Sequence, residues 1–77
     1  MKETVRRVVS SVLGIPEEEI TESTGPETVE AWDSLQHMNL ILALEEELGV
    51  QFSDDDIVSM LDVGKIYDKV GELVAAR

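Results

Sequence analysis

Asp33, Ser34 and His37 place an acid, a hydroxyl and an imidazole within five residues of one another, the three side-chain types of a nucleophilic triad. That chemistry needs the groups in line, with the acid on the far nitrogen of the imidazole, the hydroxyl on the near one, and donors for an oxyanion. Asp33 directly precedes a helical pattern, where it serves as the N-cap, and a rotation of about 100° per residue turns His37 toward the edge of the apolar stripe. A chain of 77 residues also has little material for a walled pocket, since domains near this size bury only about 60% of the unfolded surface. No catalytic residue is expected, and the chain is read as not an enzyme. The position of Ser34 favours another use, the carriage of a covalently attached anion. The first turn of a helix offers unpaired N–H groups and the positive end of the dipole.

Stepping outward to the elements, Val5, Val8, Val9, Val12 and Leu13 follow helical spacing, which predicts an amphipathic first helix over 4–13. Gly14 and Pro16 stop it. The stretch "GIPEEEITESTGPETVEAWD" then reads as a long polar loop anchored by Ile15, Ile20 and Val29, and loops of this length are often functional. The second helix is expected from Ser34 to about Leu48, with Gln36 completing a capping box with Asp33 and Gly49 ending it. Ser53 and Asp56 announce a short third helix. Asp62 caps a last helix lined by Val63, Ile66, Tyr67, Val70 and Val74, in which Gly64 and Gly71 each cost up to about 1 kcal/mol relative to alanine. The expected fold is all-α, a bundle of three principal helices and one short helix with a long first loop, forming a single domain over 1–77.

The net charge of −11 is unevenly placed: all six basic residues lie near the ends, and 8–64 holds fourteen acids and no Lys or Arg. Such a surface repels nucleic acid and anionic lipid and steers basic partners toward it, or else simply keeps the chain soluble. There is no cysteine, hence no disulfide and no thiolate metal site. The acidic runs 45–47 and 54–56 lack the glycine and alternating ligands of a calcium loop, so no dedicated metal site is expected. No apolar run approaches the roughly 20 residues of a membrane span, and the N-terminal stretch lacks the apolar centre of a secretory signal. A soluble cytoplasmic protein without membrane insertion is expected.

On the second helix, Leu40, Ile41, Leu44 and Leu48 share one sector about 100° wide, enough for a core stripe. Leu35, Met38 and Leu42 lie about 100–140° further round, beside Ser34 and flanked by Asn39, Glu45 and Glu46. Either this helix is central and touches neighbours on both sides, or the second strip is a docking surface with an acidic rim. Trp32 reads as a loop anchor over the bundle, with contact to a ligand or partner as the alternative, and His37 as a half-buried histidine with an ordinary hydrogen bond.

The run "DSLQHMNLILALEEELGVQFSDDDI", within this order of elements and in an acidic cysteine-free chain, resembles the acyl carrier proteins over essentially its whole length. The resemblance implies that Ser34 carries a 4′-phosphopantetheine arm, transferred from coenzyme A by a phosphopantetheinyl transferase and holding acyl groups as thioesters. It implies that Asp33 contributes to recognition by that transferase. Leu35, Met38, Asn39, Leu42, Glu45 and Glu46 become a surface for acyl-loading and acyl-transferring enzymes with basic docking patches, and the carrier is expected to be a monomer. Trp32 and the uncharged or weakly basic Gln36, His37 and Asn39 depart from the housekeeping carriers of fatty acid synthesis. They look more like discrete carriers of polyketide-like, lipid-modifying or cell-surface acyl transfer systems. Two alternatives stay open: an aminoacyl or peptidyl carrier on the same fold, and an acidic helical interaction module that is never armed.

Overall fold

The computed structural model describes residues 1–76. Among them the chain forms α1 (Lys2–Leu13), a 3₁₀ turn (Glu17–Glu19), α2 (Ser34–Leu48), α3 (Asp54–Ser59) and α4 (Val63–Ala75), with no strand. This is the expected all-α bundle of three principal helices and one short one. No helix among the described residues is long and apolar enough to cross a membrane.

α1 starts two residues before the expected Thr4, because the Met1 carbonyl accepts from the Val5 amide at 3.1 Å and extends the first turn. It ends where Gly14 takes a left-handed conformation (φ 69°) and returns its N–H to the Ser10 carbonyl, a geometry that costs glycine nothing. Val5, Val8, Val9 and Leu13 bury one face against α2 and α4. The opposite face is solvated, and there Arg7 pairs with Glu47 of α2, an exposed contact that adds little net stability.

The long loop is more ordered than its composition suggests. The Thr24 hydroxyl accepts from the Thr21 amide at 2.9 Å, and the Thr28 hydroxyl accepts from the Gly25 amide at 3.0 Å, side-chain turns that replace helix or sheet bonding. Glu22 and Thr24 then give their carbonyls to the amides of Gly64 (2.8 Å) and Val63 (2.9 Å). Those amides belong to the first turn of α4, which has no intrahelical acceptor for them. The loop therefore supplies part of the cap of the last helix. The fit is close: a Cβ on Gly25 would stand 2.5 Å from the Leu61 carbonyl oxygen, and one on Gly64 would stand 3.1 Å from that of Glu22. Gly64 thus has a packing reason to be glycine, whereas Gly71 has open space around it.

Asp33, Ser53 and Asp62 cap α2, α3 and α4 as their spacing predicts, each accepting from the amide three residues on. Around Ser53 the reciprocal bond from its own amide to Asp56 completes a capping box. At α2 that reciprocal bond is not made, contrary to expectation. The Gln36 amide oxygen accepts from Asn39 (2.8 Å) and its NH₂ reaches the Val12 carbonyl (3.5 Å). The core joins Val5, Val9, Leu40, Ile41, Leu44, Val63, Ile66 and Val70, and Ile20 and Trp32 tie the loop into it.

α3 buries none of its own side chains and sits between the buried Phe52 and Met60. Polar ties hold it. The Phe52 amide donates to a Glu45 carboxylate oxygen at 2.9 Å, and Lys69 of α4 pairs with Asp56 at 3.2 Å. The Ser53 amide first, and Lys69 second, hold the Asp56 carboxyl below the usual aspartate range.

Gly25→Ala is expected to lower the unfolding free energy by about 1–3 kcal/mol, and Gly71→Ala to raise it by up to about 1 kcal/mol, both read from urea midpoints. The stabilisation through Asp56 is fully present above the ordinary value of about 3.9 and is lost as pH falls through the lower folded value. A carbon-detected NMR titration should show Asp56 protonating below that ordinary value, and Asp56→Asn should remove this part of the acid dependence of stability.

Candidate functional site

Asp33 is extended (φ −98°, ψ −175°) and its carboxylate accepts from the Gln36 amide at 2.8 Å. The bond fixes where α2 begins and makes Ser34 its first residue, exposed to solvent. One residue before Asp33 the chain dives inward. Trp32 is 2% exposed and His37, one turn into α2, is 9% exposed.

These two side chains are joined. Trp32 Nε1–H donates to His37 Nδ1 at 2.9 Å, and His37 Nε2 lies 2.7 Å from the Ile57 carbonyl oxygen. An indole can only donate, so Nδ1 accepts and the imidazole proton resides on Nε2, which donates to Ile57. The rings are inclined by 24° with centroids 6.0 Å apart, consistent with a nearly in-plane N–H···N bond. Ile57 lies in the last turns of α3, whose carbonyls lack intrahelical donors. His37 therefore acts as a side-chain cap for α3 across the groove.

This arrangement removes the triad chemistry. Both imidazole nitrogens are occupied by partners other than Ser34, and the Asp33 carboxylate is turned to the backbone. Among the described residues no group of three or more His, Cys, Asp or Glu is placed to hold a metal ion.

Ser34 stands at the rim of an open groove of about 590 Å³ between α2 and α3. The nearly buried Trp32 and His37 form its floor, and the exposed Met38, Val58 and Leu61 form its walls. The volume lies within the roughly 300–1,000 Å³ of small-molecule sites. A mostly apolar hollow thus opens directly beside the one exposed hydroxyl at the start of α2.

α2 is not flanked by neighbours on both sides. Leu40, Ile41 and Leu44 are at most 1% exposed, whereas Leu35, Met38 and Leu42 are 71%, 43% and 58% exposed. Val58 and Leu61 of the α3 region, 69% and 50% exposed, extend this apolar surface, and the sequence reading did not include them. A signal was present: Ile57, Val58, Met60 and Leu61 place four apolar residues among five, more than one face of a short helix buries. Asn39 and Glu46 are exposed beside the strip. Glu45 is half-buried with one oxygen committed to the Phe52 amide, which leaves Glu46 as the freer acid.

Comparison with known proteins bears on this arrangement. Residues 3–70 match the family model described as a phosphopantetheine attachment site. The chain is 36% identical over 75 residues to an acyl carrier protein of Thermosynechococcus vestitus, covering 96% of this chain and 91% of the relative. It is 38% identical over 71 residues to an acyl carrier protein of Nitratidesulfovibrio vulgaris, covering 91% and 92%. Its backbone is similar to the solution NMR structure of a holo acyl carrier protein from Geobacter metallireducens. The TM-score there is 0.87 at 28% identity, over 97% of this chain and 86% of that one.

Met38→Ala and Leu42→Ala should each change the unfolding free energy by less than about 0.5 kcal/mol, while Leu44→Ala should cost about 2–5 kcal/mol. Urea denaturation distinguishes the two faces. A loss at Leu42 matching that at Leu44 would place Leu42 in the core.

Proposed function

The chain belongs to the phosphopantetheine-attachment family and, within it, to the acyl carrier proteins, and from that premise we propose that Ser34 is the residue that bears the 4′-phosphopantetheine arm. The observation that carries this reading is the exposed Ser34 hydroxyl on the first turn of α2, opening onto an apolar groove. When bound, the arm supplies the terminal thiol that holds an acyl group as a thioester, a group that a chain without cysteine does not possess.

The chain's own residues do the rest by position. Asp33 starts α2 and leaves the serine facing out, where a phosphopantetheinyl transferase reaches it and where the N-terminal dipole of the helix favours a phosphate. Asp33 is also the acid beside the serine that such a transferase would read. The groove between Met38 and Leu61 offers an apolar cargo a place to lie, which supports acyl over aminoacyl cargo. Leu35, Met38 and Leu42 form the apolar centre of a docking face, with Asn39, Glu45 and Glu46 at its rim. Partner enzymes with basic patches would be steered by the acidic middle of the chain. We read 1–77 as one carrier domain acting as a monomer. Trp32 and the uncharged Gln36 and Asn39 support service to a specialised acyl transfer system.

Incubation with coenzyme A, magnesium and a broad-specificity phosphopantetheinyl transferase should raise the intact mass by one arm, and Ser34→Ala should abolish the gain. An unchanged mass under conditions that arm a control carrier would contradict the proposal and favour an unarmed interaction module. A gain that survives Ser34→Ala would move the attachment elsewhere.

A further inference from the structure

α3 frames one side of the groove, yet it contributes no buried side chain of its own, and six residues are too few to hold a helix by propensity. The partly buried Ile57 and the buried Phe52 and Met60 at its ends give it an apolar footing, and discrete polar ties add to this in setting its place relative to α2. Lys69 fixes it to α4 through Asp56, and Glu45 holds the Phe52 amide that leads into it. His37 is the tie that crosses the groove itself, at 2.7 Å to the Ile57 carbonyl. The Trp32 indole holds the imidazole in the one tautomer that can make that bond.

We propose that His37 is a positioning residue that sets the width of the groove beside Ser34, with Trp32 as its orienting partner, and that this pair limits the bulk of the acyl group the groove accepts. The inference rests on the arm being attached at Ser34. If His37 no longer holds Ile57, the wall carrying the exposed Val58 and Leu61 can shift away from Met38 between the buried ends Phe52 and Met60, because within α3 itself only the partly buried Ile57 packs against the core. With the bond in place the groove keeps its volume of about 590 Å³, open to solvent, and cargo that outgrows it extends into solvent.

The two roles of His37, accepting from Trp32 and donating to Ile57, are separable from its volume. Glutamine offers an acceptor and a donor on one side chain, so His37→Gln retains both bonds. His37→Phe fills the floor and makes neither. Trp32→Phe keeps an aromatic floor, smaller by part of the indole, and removes the donor that selects the tautomer.

The test compares wild type with these three variants, each loaded enzymatically with the arm bearing acyl groups graded from acetyl to dodecanoyl, including branched ones. Intact mass is recorded first, and a sample that gains no arm speaks against attachment at Ser34 rather than against the role of His37. For armed samples, the thermal midpoint of each acyl form is measured against its own arm-only form, since cargo that binds only the folded groove raises that midpoint. In wild type and His37→Gln the shift should grow with chain length and then stop. In His37→Phe it should continue past that length and extend to branched cargo, with Trp32→Phe moving in the same direction. Should His37→Phe fail to fold, Trp32→Phe against wild type decides the matter. Superimposable length profiles in wild type and the phenylalanine variants, or no cargo-dependent shift in any armed form, would overturn the proposal.

Discussion

The bond from the Trp32 indole to His37 joins three parts of the molecule. It ends the long loop, orients a side chain on the first turns of α2, and through the Ile57 carbonyl reaches α3. Both partners are nearly buried, so the bond operates away from competing water, where a satisfied polar pair rigidifies its surroundings and an unsatisfied one is costly. Ser34 lies between the two residues in sequence. The Asp33 cap leaves it exposed at the start of α2, and the Trp32–His37 pair forms the floor of the groove at its side.

α2 does two unlike tasks with one helix. Its inward sector is as apolar as any core, and its outward sector keeps Leu35, Met38 and Leu42 in solvent at the cost of ordinary amphipathicity, which is weaker here than in α1 or α4. Acidic residues lie beside this exposed surface, as at Glu46, and give it a negative field. A carrier must meet several enzymes in turn, and a shallow apolar strip within a long-range field suits contacts that form quickly and release.

Much of this was legible in the residues because the controlling interactions are local. Asp33, Ser53 and Asp62 bond the amide three positions on, and Gly14 and Gly49 end their helices by a conformation open to glycine, so the starts of three helices and the ends of two could be read directly. The two faces of α2 followed from its period. What escaped depends on partners distant in sequence. The loop is ordered by Glu22 and Thr24 capping α4, about which the polar string "TESTGPET" carries no sign. Gln36 has the spacing of a capping box and turns instead to Asn39 and Val12. The bond of His37 to a carbonyl 20 residues away was invisible, and with it the purpose of Trp32. Nor does any local rule distinguish a serine that carries a group from one that simply begins a helix. The wider pattern of the chain is what supports the proposal that Ser34 carries one.

The width of the groove turns on the partners of one imidazole, and long-range ¹H–¹⁵N NMR of His37 reads them directly. A single tautomer is expected, with the proton on Nε2 and a hydrogen-bonded, unprotonated Nδ1. The Trp32 indole proton should exchange with solvent as slowly as amides of the core. A proton on Nδ1, or an averaged pair of tautomers with a rapidly exchanging indole, would mean that the bond does not hold the groove.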